Sequence, residues 1–222
     1  MTWTEPVVTR YGELYPQPRH PRYREGKFYC AFWHPGHDNG PFDLCVSEDG
    51  IKWTKHAQIA AEVPERLTDE SDLHWLPDGE LWCVVRSGGP ALMYWAKPPY
   101  TQWEGGVDIG QCDAPVMCNS GGQVYLAGRG PAKIVLQPDE IGGKQGAPSL
   151  YRLSRGRAEL LVSFPVGGDA SYSGLISPEP GRLIWSYYSD IAYQTGRLKV
   201  GSEYRFMATA SDIYLAEVHV PN

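Results

Sequence analysis

Apolar and polar positions along this chain alternate with a period of two over short runs, and almost nowhere follow the spacing of an amphipathic helix. The best helical stretch, residues 60–68, is cut by Pro64 and has no continuous apolar face. The pattern predicts an all-β protein. Its runs recur as a hairpin: a short segment, a glycine turn, then an apolar run rich in aromatic and branched residues. Four copies superpose on their turn glycines, residues 19–33 around Gly26, 72–86 around Gly79, 115–129 around Gly122 and 174–188 around Gly181. Those glycines lie 53, 43 and 59 residues apart. A third strand-like run follows each hairpin, at 42–46, 91–96, 149–153 and 212–218, and a fourth follows the first three, at 53–59, 103–107 and 158–164.

Four-stranded units recurring every 40 to 60 residues or so predict a β-propeller rather than a sandwich. The expected organisation is a single domain over residues 1–222, with blades at 19–59, 70–107, 113–164 and 172–218. The last blade lacks its outer strand. Residues 3–9 have the right character, since Trp3-Thr4 opens them as Trp53-Thr54 opens an outer strand. They are expected to complete the C-terminal blade, closing the ring and removing its exposed edges.

Composition narrows the function. The 25 Gly and 19 Pro fit a chain with many turns, and 8 Trp with 14 Tyr exclude a disordered polyelectrolyte. A net charge of -6 with scattered Lys and Arg argues against nucleic acid, and no apolar run reaches the length of a membrane span. Nothing in Met1-Thr2-Trp3-Thr4-Glu5-Pro6 reads as a secretion signal, so a cytoplasmic location is expected. Cys30, Cys45, Cys83, Cys112 and Cys118 are odd in number, have no CxxC spacing and mostly lie in apolar runs, as reduced core thiols would. Glycines crowd residues 133–148 without a phosphate-loop pattern, so this segment and the insertion at 190–209 are read as rim elements, the latter also as an oligomer contact. His34, His37 and His74 have no metal-ligand spacing, and no cofactor is expected.

Repeat register supplies the candidate chemistry. Seven residues beyond the turn glycines stand Trp33, Arg86, Arg129 and Tyr188, and nine before them stand Gln17, Glu70, Asp113 and Tyr172. Equivalent positions of successive blades point to one end of a propeller. Two guanidiniums beside acids and a phenol there would read an anion, because the Arg fork matches a carboxylate.

The segment Ser47-Glu48-Asp49-Gly50-Ile51-Lys52-Trp53 is a turn of the form S-x-D-G-x-x-W, and residues 96–103 keep its Trp as Trp103. With this turn, and with the runs 164–175, 183–189 and 213–216, the chain from about residue 19 to 218 resembles the sialidase superfamily of Asp-box propellers. The resemblance implies an exo-glycosidase that holds a substrate carboxylate with three arginines and attacks with a tyrosine, a nucleophile suited to an anionic sugar centre. It also implies six blades, where this chain has residues for four. Carried over, the resemblance makes Tyr172 the nucleophile, Glu70 its activator and Asp38 the acid/base. Arg19, Arg86 and Arg129 become the carboxylate binders, with Asp113 and Asp169 beside them. Arg22 competes with Arg19 for its Arg-x-Pro place, Asp38 also suits a Gly/Asn turn, and Glu70 also suits a solvated acidic cluster. The expected function is a sialidase-like glycoside hydrolase acting on an acidic sugar or glycan. The alternative is a non-catalytic carbohydrate-binding or structural propeller, and homo-oligomerisation stays open.

Overall fold

The computed structural model describes residues 5–9, 11, 19–33, 42–61, 70–131, 146–166, 170–189, 197–200, 203–206 and 211–221. The chain folds as two compact units, Met1–Val107 and Asp108–Asn222. In the first, β1 (Arg22–Arg24), β2 (Lys27–Trp33), β3 (Phe42–Ser47) and β4 (Thr54–Ala60) form one sheet in that order. A second sheet follows with β5 (Ser71–Trp75), β6 (Leu81–Val85), β7 (Leu92–Ala96) and β8 (Trp103–Asp108), also in chain order. The second unit opens with a four-stranded sheet of β9 (Asp113–Ser120), β10 (Gln123–Gly130), β11 (Ala147–Ser154) and β12 (Arg157–Ser163). Next come β13 (Ala170–Glu179) and β14 (Arg182–Ser189), then a separate hairpin of β15 (Arg197–Val200) and β16 (Glu203–Phe206), and finally β17 (Asp212–His219), which pairs with β14. The fold is all-β, and its four antiparallel sheets are β-propeller blades.

Local chemistry sets these meanders. The β1–β2 turn has both central residues, Glu25 and Gly26, at positive φ, as does the Gly121-Gly122 turn between β9 and β10. That geometry matches the right-handed twist of the flanking strands. In the first unit the two sheets bury Phe42, Leu44, Leu73, Leu81, Val85 and Tyr94 in one cluster. In the second, Val116, Tyr125, Leu150, Leu183 and Trp185 form the core. Trp185 is fully buried, and its indole N–H donates to Ser173 Oγ at 2.9 Å, so the large ring leaves no unmet donor.

Strands lie where the repeat places them, with two differences. The strand expected at 3–9 does not form over its described part. Residues 5–9 carry no strand, Val7 and Val8 are exposed, and the sheet β13-β14-β17 has three strands among the described residues. Pro6 offers no N–H to a ladder at the centre of that segment. The insertion at 190–209, read as a rim element or an oligomer contact, contains the β15–β16 hairpin, two strands that the repeat does not place. None of the five cysteines is in a disulfide, and four of them are buried, as expected of core thiols.

Candidate functional site

In the first unit, pairing of Ser71 with Val85 carries one step further to Glu70 and Arg86, whose backbones are joined by an Arg86 N–H to Glu70 C=O bond of 2.9 Å. Side chains directly opposite in such a pair share a face. Arg86 Nη1 donates to Glu70 Oε2 at 3.0 Å. The Glu70 side chain is buried, while that of Arg86 is about a quarter exposed at 24%. The result is a cation whose inner side is fixed by a desolvated acid and whose outer side reaches solvent, a geometry suited to binding an anion.

A second acid lies close in sequence. Asp72 is fully buried, and Arg22 addresses both its oxygens, Nε to Oδ1 at 2.9 Å and Nη2 to Oδ2. His20 Nδ1 stands 3.9 Å from the same carboxylate, and His20 itself sits at φ 45°. Arg22, the residue that competes with Arg19 for the Arg-x-Pro place, is thus paired with Asp72. Arg19 receives the Cys30 thiol on its carbonyl at 3.2 Å. Nearby, burial first and the Arg22 charge second push the His74 pKa down, so its imidazole stays neutral at pH 7.

In the second unit, Arg129 is the register partner of Asp113, repeating the acid-opposite-arginine arrangement one blade on. The ladder slips between Ala127 and Arg129, and Ala114 takes φ 48° in the bulge. The buried Nε of Arg129 has no hydrogen-bond partner among the described residues. Gly146 runs against the stem of this arginine: a Cβ there would stand 2.8 Å from Arg129 Cγ.

Tyr172 lies on β13, half-exposed at 50%, with its ring centroid 6.2 Å from that of Tyr188. Its φ of 46° is an outlier for a bulky residue, of the kind that the surrounding structure must impose. The β13–β14 register pairs Ser171, not Tyr172, with Tyr188, and slips between Ser171 and Gly174. The slot expected to hold Tyr172 is thus held by Ser171, and Tyr172 matches the bulged Ala114 of the preceding blade. A bulge adds one residue to a strand, so counting from the turn glycine lands one place late. Ser171 Oγ is buried and has no hydrogen-bond partner among the described residues.

The structure therefore joins Glu70 to Arg86 within the first unit, and Asp113 to Arg129 and Tyr172 to Tyr188 within the second. Gln17, Asp38 and Asp169 lie outside the described residues, as do His34 and His37. Sequence reasoning missed Asp72, Ser171 and also Asp43, a buried acid that accepts from Tyr11 Oη at 3.1 Å and pairs with Lys55 Nζ at 2.8 Å. Alternation marks neither acid, because β3 and the start of β5 are buried on both faces and Asp43 and Asp72 follow buried neighbours without a break. Among the described residues no group of three or more His, Cys, Asp and Glu could hold a metal ion.

No protein-family model and no curated protein matches the chain. Among solved structures, a protein of unknown function from Dyadobacter fermentans DSM 18053 is similar over 99% of this chain and 61% of its own, at 15% identity and a TM-score of 0.68. A GH43 endo-arabinanase from Bacillus licheniformis matches over 83% of this chain and 68% of its own, at 15% identity and a TM-score of 0.50. A xylan β-1,4-xylosidase from Bacillus halodurans C-125 matches over 98% of this chain and 43% of its own, at 11% identity and a TM-score of 0.51. The chain thus spans less than two thirds of the first and third of these proteins. Likeness at this identity is a likeness of fold, and the fold shared is the β-propeller.

Proposed function

We propose that this chain is a carbohydrate-handling propeller that reads a carboxylate-bearing sugar with Arg86 and Arg129 and hydrolyses its glycosidic bond with Tyr172. The observation that carries the reading is the repeated pair: a carboxylate opposite an arginine at the same strand end in two successive blades, Glu70 with Arg86 and Asp113 with Arg129. A guanidinium held from behind keeps its remaining N–H groups aimed, which lowers the ordering cost of gripping an anion. Tyr172 adds a solvent-facing phenol fixed by a strained backbone. Asp38 and Asp169 remain the proposed acid/base and a substrate contact.

In this reading purified protein releases a chromophore from an aryl glycoside of an acidic sugar. Tyr172→Phe abolishes that release, while Arg86→Ala raises KM by about tenfold to a hundredfold. An unchanged rate for Tyr172→Phe in a chain with wild-type circular dichroism would sink the nucleophile assignment.

One observation favours a second reading. The acid assigned to activate the tyrosine has Arg86 as its partner at 3.0 Å, a positioning role rather than a base's. In a binding propeller without hydrolysis, calorimetry with an acidic monosaccharide detects binding that Arg86→Ala and Arg129→Ala weaken. Tyr172→Phe then changes little, and no aryl glycoside is cleaved.

A further inference from the structure

Arg86 and Arg129 hold one slot of two successive blades, yet they differ in charge balance. Arg86 Nη1 lies 3.0 Å from the buried Glu70 carboxylate, so its charge is answered inside the protein. Arg129 stands opposite Asp113 in the ladder but makes no ion pair with it, and among the described residues its side chain has no hydrogen-bond or ion-pair partner. It is nonetheless half-buried, with its Nε wholly so. Taking a cation out of water without an acceptor or a counter-charge is costly, and a native structure that keeps such a group holds it for an ion or for function.

The chain around Arg129 is packed tightly enough to keep it in place. Period two along β10 puts Arg129 on the face of Tyr125 and Ala127, both in the core, so its side chain leaves that core at the strand end. The neighbouring Gly130 meets Tyr151, where a Cβ would run into a hydroxyl already fixed by a 2.9 Å bond to the Gln111 C=O. Just before β11, a Cβ on Gly146 would run into the Gly130 C=O and stand 2.8 Å from Arg129 Cγ. Neither glycine has room for a side chain. Backbone therefore lies against the arginine's stem, which narrows its freedom and lowers the ordering cost of holding a ligand.

We propose that Arg129 is the residue that selects for negative charge in the ligand, and that Arg86, neutralised by Glu70, adds affinity without charge selection. The inference rests on the carboxylate-reading half of the proposed function and not on Tyr172 or on hydrolysis. A carboxylate that reaches Arg129 meets an unanswered guanidinium and gains the whole attraction of a charge-assisted pair. At Arg86 the same group meets a cation and an acid together, whose charges cancel, so an acidic ligand gains little there over a neutral one of the same shape. Discrimination between a sugar acid and its neutral ester is therefore carried by Arg129, on the second unit, and one unanswered cation matches a ligand with one carboxylate.

Two measurements on the full chain compare wild type with Arg129→Gln and Arg86→Gln. Titration calorimetry sets a sugar acid against its methyl ester: wild type binds the acid tighter by roughly tenfold or more, Arg86→Gln weakens both ligands and keeps that ratio, and Arg129→Gln binds the two alike. Scanning calorimetry in sodium acetate against sodium chloride at equal ionic strength needs no sugar. Acetate raises the Tm of wild type and of Arg86→Gln and leaves that of Arg129→Gln unmoved. Arg129→Met, which keeps the stem and drops the charge, replaces the glutamine variant if that chain does not fold. A charge-free variant at 129 that keeps the preference for the acid or the acetate shift overturns the proposal, and so does an Arg86→Gln chain that loses either. If acetate stabilises through Arg129 while no sugar acid binds, charge selection by Arg129 stands and the sugar reading falls; if a sugar acid binds with a preference that both arginines carry equally, the sugar reading stands and this proposal falls.

Discussion

Two carboxylates illustrate how differently an acid can be used at the scale of single residues. Glu70 is buried against Arg86, so removing either partner strands a charge out of water. Breaking a wholly buried pair costs about 3–5 kcal/mol; because Arg86 is part-exposed, Glu70→Ala is expected to cost about 2–3 kcal/mol in urea unfolding. The Glu70→Ala, Arg86→Ala double variant should be destabilised by clearly less than the two single losses together. Asp49 is the opposite case, exposed yet strongly hydrogen-bonded. It accepts the Ile51 and Lys52 N–H groups at 2.8 Å each and the Ser47 hydroxyl at 3.0 Å. Those bonds, the Lys52 one foremost, hold its carboxyl below the ordinary 3.8. A folded pKa below the unfolded one gives stability that is present above the unfolded value and lost as pH falls through the folded one. The melting temperature of Asp49→Ala should therefore fall below wild type at neutral pH, and the gap should narrow as pH drops below about 4, by scanning calorimetry.

Strands and turns show which local rules are strict. The loop from Ser47 to Trp53 is built as its sequence suggests, with Ser47 Oγ accepting the Gly50 N–H at 2.9 Å and Trp53 buried edge-on to Phe32, their ring centroids 5.1 Å apart. Gly105 in β8 is less forgiving still. Its φ is +110°, and a Cβ there would stand 2.5 Å from Met93 C=O and 3.0 Å from Tyr94 Cα, both backbone atoms. Strain and clash act together, so Gly105→Ala should lose about 2 kcal/mol or more in chemical denaturation, whereas Gly110→Ala, with open space around its Cβ, should lose about 1 kcal/mol from φ alone. Bulges are where element-level reading from sequence slips. The irregularities before Arg129 and after Ser171 each insert a residue that no composition rule marks, and the second moves Tyr172 out of the slot that counting assigns it.

At the scale of the molecule, burial decides how the thiols behave. Cys30, Cys83 and Cys45 all have pKa values raised chiefly by burial, Cys45 to about 12, so none offers a thiolate near neutrality. Titration of the native chain with a disulfide reagent should report at most the half-buried Cys118, and all five thiols should react after unfolding. Rapid labelling of more than one thiol under native conditions would contradict the core described above.

Period-two alternation, four glycine turns and the aromatic spacing were enough to define an all-β chain, the places of nearly all its strands and its division into blades, because strand pairing and turn type depend on neighbours a few residues apart. The slots at Glu70 and Arg86 were legible for the same reason, as a regular hairpin preserves counting, and Asp113 falls opposite Arg129 across a bulge. What tertiary structure alone decided was whose charge meets whose: that Arg22 belongs to Asp72, that Glu70 holds Arg86, and that Ser171 displaces Tyr172 opposite Tyr188. It also left Val7 and Val8 unpaired with any strand and the face of β17 open to solvent. Such outcomes turn on bulges, desolvation and long-range packing, which depend on distances between residues that no local pattern encodes.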